Sequence, residues 1–257
     1  MPRRLLLAVC AIAIVPCLFA CGGDDDDAAG PESTATSGLP VVANSTASPQ
    51  LSGPAGKYSV SLDDIGAAWL TDIKGTFEIN SPELVGLYVG RSRVFPSAAE
   101  GLRMLREWGY KEGYETGYIP EGRDAAVLQG AYYIVIETHL FETPEGAHKA
   151  YDYFAQKATD GGASSVAVTG VGNEASGFET VASKIAGSSV NAAFHQVVFR
   201  RGNVVEIVFT KGAQGFMEIT EPWELARIAD EKLVGQRSAT EPTPTSNYKS
   251  PTPAPKP

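Results

Sequence analysis

The chain has 257 residues, 21 basic and 30 acidic side chains for a net charge of −9, and three cysteines, Cys10, Cys17 and Cys21, all within its first 21 positions. That placement excludes a disulfide framework and any thiolate-held zinc or iron–sulfur centre in the body of the protein. The acidic balance excludes a nucleic-acid binder, which needs clustered Lys and Arg to displace counterions from phosphates.

Arg3 and Arg4 precede an apolar run of 11 residues from Leu5 to Val15. Such a run is too short to cross about 30 Å of hydrocarbon as a helix, but it suits a secretory signal peptide over residues 1–20. Leu18-Phe19-Ala20-Cys21 follows, and only Cys21 has a small residue before it, since Cys10 follows Val9 and Cys17 follows Pro16. The tetrapeptide resembles the lipobox of bacterial lipoproteins, although Phe19 is bulkier than the family usually carries there. The resemblance implies a diacylglyceryl thioether on Cys21, usually joined by an amide-linked acyl chain such as palmitate. It also implies an exported protein anchored to the outer face of a bacterial membrane. Two or three acyl chains at about 0.8 kcal/mol per buried methylene hold a protein there, where a single chain is marginal. Without residues 1–20 the chain keeps 19 basic against 30 acidic side chains, a net charge of −11.

Residues 21–56 are Gly, Asp, Ala, Ser, Thr and Pro with few large apolar side chains, and they read as a disordered linker behind the lipidated cysteine. Residues 237–257, rich in Pro and Thr, read as a second disordered tail. Between them, residues 57–236 are one globular domain by length.

Within the domain a short turn near Asp63 to Leu70 is expected to pack Ile65 and Trp69. Ser97 and Glu100 form a capping-box pattern ahead of Leu102, Leu105 and Trp108, with Gly109 as the stop. Tyr110 to Ile119 and Ala131 to Phe141 read as strands. Thr143-Pro144-Glu145 opens a helix whose Ala147, Ala150, Tyr151, Phe154 and Ala158 share one face. Glu174 to Ser183, Val190 to Arg200 and Asn203 to Thr210 follow as strands, the last two closed by a primed turn at Gly202-Asn203. Glu221-Pro222 begins a last helix that stops at Gly235. Consecutive strands without crossover helices must pair antiparallel. The expectation is therefore α+β: a single antiparallel sheet with about three helices packed on one face.

Chemical motifs are sparse. Gly170-Val171-Gly172-Asn173-Glu174-Ala175 has dinucleotide-loop spacing, but a strand pattern follows where the pyrophosphate would need a helix N-terminus. Glu137, His139 and Glu206, with His195 nearby, could form a metal or acid–base group. Polar residues on a solvated sheet face explain them more simply, because no ligand spacing supports the site. No nucleophile motif is present. The sequence reading thus names no catalytic residue, no metal ligand and no cofactor. The unusual feature is a Gly-Tyr pair repeated at period 4, which in a strand sets Tyr110, Tyr114 and Tyr118 on one face. With Trp108 they are the candidate ligand-binding strip, against the plainer reading of tyrosines packed on the sheet.

Val171-Gly172-Asn173-Glu174-Ala175 and Val197–Val205 resemble a phrase of uncharacterised exported lipoproteins and sensor-type extracytoplasmic domains, usually with Asp in place of Asn173. The Leu140–Ala147 helix entry fits it too. The resemblance implies a non-catalytic surface domain. The expected function is a membrane-anchored extracytoplasmic lipoprotein whose domain, a monomer, binds a small-molecule or protein ligand at the cell envelope. The alternatives are an envelope enzyme acting on cell wall or lipid, and a structural spacer lipoprotein.

Overall fold

The structure is a computed structural model, and it describes residues 50–85, 94–122, 130–185 and 188–240. The signal peptide, Cys21, most of the linker and the end of the tail lie outside the described residues.

Seven strands form one antiparallel sheet: β1 (Trp69–Ile79), β2 (Tyr110–Pro120), β3 (Ala131–Phe141), β4 (Ser164–Val166), β5 (Glu174–Lys184), β6 (Asn191–Arg201) and β7 (Val204–Ala213). Their spatial order is β1-β2-β3-β7-β6-β5-β4. The β-branched and aromatic density of β6 and β7 places β7 at the centre. Their turn forms as expected: Arg201 pairs with Val204, and Gly202 has φ 58°, a conformation closed to β-branched residues.

Among the described residues four α-helices accompany the sheet: α1 (Leu62–Ile65), α2 (Ala98–Glu107), α3 (Pro144–Asp160) and α4 (Thr220–Leu233). The predicted caps are present, with Ser97 Oγ accepting from Glu100 N at 3.2 Å and Thr143 Oγ1 from Gly146 N at 3.1 Å. All five predicted apolar positions of α3 are buried.

The class and the single sheet are as the sequence implies, but the helices divide between its two faces. Leu105 of α2 and Ala147, Ala150 and Phe154 of α3 pack against Val135, Phe141, Val205 and Phe209 on one face. Leu225, Ala226, Ala229 and Leu233 of α4 pack with Tyr58 and Val60 against Ile134, Ile136, Val197 and Val208 on the other. The central strands therefore have no solvated face. Glu137, His139 and Glu206, taken from the sequence as solvent-facing, are all 0 % exposed, and His195 is 6 % exposed.

Three further readings change. Trp69 lies in the edge strand β1 rather than in a turn. The three-residue β4 was not anticipated. The domain also begins before Lys57. Leu51 N donates to Asn203 Oδ1 at 2.7 Å, Ala55 N donates to Glu112 Oε1 at 2.8 Å, and Ala55 is 3 % exposed. Residues 50–56 are thus a strap laid on the sheet, held because Asn203 presents both amide groups to backbone, as a strand neighbour would.

Candidate ligand-binding site

The four aromatic residues do not form one strip. The register of β2 on β3 slips between Tyr110 and Glu112, so Tyr110 pairs with Phe141 while Tyr114 pairs with Thr138. The extra residue at this bulge turns Tyr110 to the α3 face and leaves Tyr114 and Tyr118 on the α4 face. Period 4 holds only in an unbroken pleat. Trp108 is 7 % exposed, sits in an aromatic group with Phe95, Tyr153 and Phe154, and is a core residue. Tyr118 is fully buried and donates to Val60 O at 2.5 Å.

Tyr110 and Tyr114 do share a hollow. A cleft of about 330 Å³ lies where the strap meets the ends of β1 and β2, lined by Ala55, Glu78, Asn80, Tyr110, Glu112 and Tyr114 among others. That volume is within the usual range for small-ligand sites. Gly113 forms part of its wall and stands between the cleft and the core. A Cβ there would overlap Tyr110 Oη and come within 3.1 Å of His139 Nδ1.

Behind Gly113 lies a buried polar group that no motif announced. His139 Nε2 and Glu137 Oε2 are 2.9 Å apart, and Glu115 lies opposite Glu137 on the neighbouring strand. The His139 ring contacts Tyr110 and Phe154. Burial pushes its pKa down to about 3, so the imidazole is neutral near pH 7. Its Nδ1 has no hydrogen-bond partner among the described residues. An unpaired buried polar atom costs about 1–3 kcal/mol and calls for an explanation. The position of Nδ1 beside a cleft wall made of glycine supplies one, with Gly113 and the Tyr110 ring, whose hydroxyl donates to Ile79 O at 3.2 Å, next to it at the hollow.

The other sequence candidates fall elsewhere. Glu206 lies on the α4 face, accepting from Thr138 Oγ1 at 2.9 Å; burial raises its pKa well above the carboxylate range, against the lowering by Thr138. His195 shares that face, with Nε2 3.8 Å from Glu179 Oε2. The sheet thus separates both from Glu137 and His139, and the four residues form no common site. Gly170 and Gly172 turn directly into β5, as the strand pattern required, and Asn173 Oδ1 accepts from Gly202 N at 2.8 Å. Asn173 therefore braces the β6–β7 turn, a role its amide fills without any acid.

Two ion pairs were not foreseen: the buried Lys232 Nζ to Asp64 Oδ2 at 2.7 Å, and the partly buried Arg201 to Asp230 at 2.5 Å. Burial works to raise the Asp64 carboxyl, but hydrogen bonds from Lys232 and Ser61 overcome it and hold the group below its ordinary range. Ser61 before Asp64 is a capping-box spacing and was the available signal for this acid.

No family model matches the chain, and none of the curated proteins does. Among solved structures, the crystal structure of the extracellular domain of PknH from Mycobacterium tuberculosis is similar, with 11 % identity and a TM-score of 0.47 over 73 % of this chain and 100 % of that one. A likeness of that size transfers no function. Among the described residues, no helix is long and apolar enough to cross a membrane.

Proposed function

We propose that the chain is a membrane-anchored extracytoplasmic lipoprotein whose domain binds a ligand at the cell envelope and catalyses no reaction. The anchoring half rests on Leu18-Phe19-Ala20-Cys21, the one acceptable lipobox, whose resemblance to the family implies two or three acyl chains on Cys21. The observation that supports the binding half is the cleft under the strap. It is concave, it carries the hydroxyl-bearing rings of Tyr110 and Tyr114 beside Glu78 and Glu112, and an unpaired imidazole nitrogen lies behind its wall. Aromatic faces with a few fixed polar groups are the usual composition of a small-ligand site. The ligand is small and polar, because the hollow holds about 330 Å³ and Glu78, Asn80, Lys111 and Glu112 line it. The enzyme reading loses the grouping it needed, since Glu137 and His139 lie across the sheet from His195 and Glu206.

Native mass spectrometry of the mature chain purified from its own host tests the binding half. A retained small molecule that is lost on Gly113→Leu, which fills the wall of the cleft, is the expected result. Retention in that variant, or no retained mass at all, would remove the cleft from the argument. Membrane fractionation tests the anchor. Cys21→Ser should move the protein to the soluble exported fraction or leave it unprocessed.

A further inference from the structure

Where α3 meets β5, three side chains of metal-ligating type converge. His148 and Asp152 are one helical turn apart on α3, and Glu174 is the first residue of β5. His148 Nδ1 is 2.8 Å from Glu174 Oε2, and His148 Nε2 is 3.4 Å from Asp152 Oδ2. Each residue offers a ligand atom such that all three lie within 4.8 Å of one another. We propose that His148, Asp152 and Glu174 bind one divalent transition-metal cation of the zinc class and staple α3 to β5.

The geometry fits such an ion. Zinc takes imidazole nitrogen at about 2.0–2.1 Å and carboxylate oxygen at about 2.0–2.2 Å, which in a tetrahedron sets ligand atoms roughly 3.4 Å apart. One ion takes only one of the two ring nitrogens, so the spacing that bears on the site is that of one atom from each residue, within 4.8 Å of one another, and the half-exposed side chains of His148 and Asp152 can turn to close it to that value. A histidine with a carboxylate at i+4 presents both ligands on one helix face. The third ligand is fixed independently of the helix. Arg200 donates to Glu174 Oε1 at 2.6 Å and to Gly202 O at 2.9 Å, so the guanidinium holds one carboxylate oxygen and leaves Oε2 toward His148. That is the orienting contact that carboxylate ligands commonly receive from behind. Tyr151 Oη and Ser176 Oγ, 2.8 Å apart, fix the same helix to the same strand next to the site.

Charge points the same way. Among the described residues no Lys or Arg pairs with Asp152, so two carboxylates face one imidazole with Arg200 as the only formal cation at the group. A divalent cation supplies the missing charge. The donor set of one imidazole and two carboxylates selects a borderline cation over calcium or magnesium, which prefer all-oxygen shells. The ligand count leaves a coordination position open to water. This site departs from the sequence reading, which named no metal ligand, because Glu174 meets His148 only through the fold. It is independent of the cleft.

The test uses the full mature chain, free of any histidine tag, with Cys21→Ser so that a thiol does not itself take the metal. Zn²⁺ titration by calorimetry should show one ion per chain, and saturating Zn²⁺ should raise the melting temperature by several degrees because the ion binds only the folded pair of elements. Co²⁺ in its place should give the visible absorption of a four- or five-coordinate site. His148→Ala and Asp152→Asn, both at exposed positions, should each weaken Zn²⁺ at least tenfold, while His195→Ala should leave the affinity unchanged. The proposal is overturned by an absence of heat and of stabilisation at millimolar Zn²⁺, by affinity that survives His148→Ala, or by Ca²⁺ and Mg²⁺ binding as well as Zn²⁺ does.

Discussion

The two faces of the sheet bury polar groups by different means. On the α3 face, Glu115, Glu137 and His139 are buried, the His139 ring lies against Tyr110 and Phe154, and the imidazole is uncharged near pH 7. On the α4 face the groups are paired ions, Lys232 with Asp64 and Arg201 with Asp230, beside a Glu206 whose pKa burial raises. The distinction follows chain order. On the α3 face a helix packs on β6, β7 and β3, whereas the α4 face also joins Ser59 and Asp64 to the last helix, across separations of up to 173 residues. Apolar stripes alone leave the register of such distant segments loose, and a buried ion pair penalises every wrong docking with an unpaired charge. The α4 face is thus where specificity is built, and the α3 face is where apolar burial dominates.

Removing one partner of a buried ion pair is the most direct way to break this comparison. Lys232→Met leaves Asp64, whose side chain is 8 % exposed, with the exposed Arg237 guanidinium, 3.1 Å away, as its remaining cation, and takes the donor from Ser59 O. The expected loss is about 3 kcal/mol, the low end for a broken buried pair. His139→Gln, which keeps a donor toward Glu137, should cost only about 1–2 kcal/mol. Urea denaturation of both variants gives the ratio, and equal losses would abolish the distinction between the faces.

The strap comes next. A chain trimmed to residues 57–236 loses the Leu51–Asn203 clamp and the Ala55–Glu112 bond. It should unfold about 2 kcal/mol more easily than one of residues 50–240, a drop of roughly 4–8 °C in melting temperature. Composition alone implied that this flank adds nothing to the core. Identical midpoints would restore that view.

Gly202→Val acts where the faces share a turn. With φ 58° at Gly202, a β-branched side chain is strained there, and the cost should be about 1–3 kcal/mol. Because Asn173 and Arg200 both brace this turn, the variant should also loosen the start of β5. Faster amide exchange at residues 173–176 would register it.

These contrasts also mark what could be read from the sequence. Elements with local signals were legible: α3 from Thr143 and its apolar spacing, and the β6–β7 hairpin from Gly202-Asn203. β1 was not, because Asp72, Lys74 and Gly75 disfavour a strand, and its pairing with β2 is indeed irregular between Asp72 and Phe77. The partition of helices between faces depends on where β7 inserts, a long-range event that no window of residues encodes. The same limit hid the site. Period 2 correctly put Glu137 beside His139, but solvation of that face was inferred from polarity, and polarity does not distinguish a wet strand from one covered on both sides. The tyrosine strip failed on a single bulged residue, Lys111, which carries no signal distinguishing it from its neighbours.

The buried titratable groups of the two faces also respond to pH. His139 has its pKa lowered to about 3 from an ordinary 6.5, so the unfolded chain takes up a proton that the folded chain refuses. Its contribution is complete above pH 6.5 and is lost as pH falls toward 3. Glu206 has the opposite sign. Its folded pKa is raised above 4.5, so its contribution is complete below that pH and is lost as pH rises through the folded value. His195, lowered by burial, adds to the first slope from the α4 face, and Asp64 acts only below about pH 4. Between pH 7.5 and 4.5, His139→Gln should therefore lose less stability on acidification than the parent, with a residual slope from His195. Glu206→Gln keeps a partner for Thr138 and removes the titration. It should gain stability at pH 7.5 and show that gain shrinking toward pH 4.5. Denaturation series at these two pH values suffice. A Glu206→Gln variant that is destabilised equally at both would mean that the carboxylate is ionised and paired in the fold, and that the α4 face holds three charges of its own making rather than two pairs and a neutral acid.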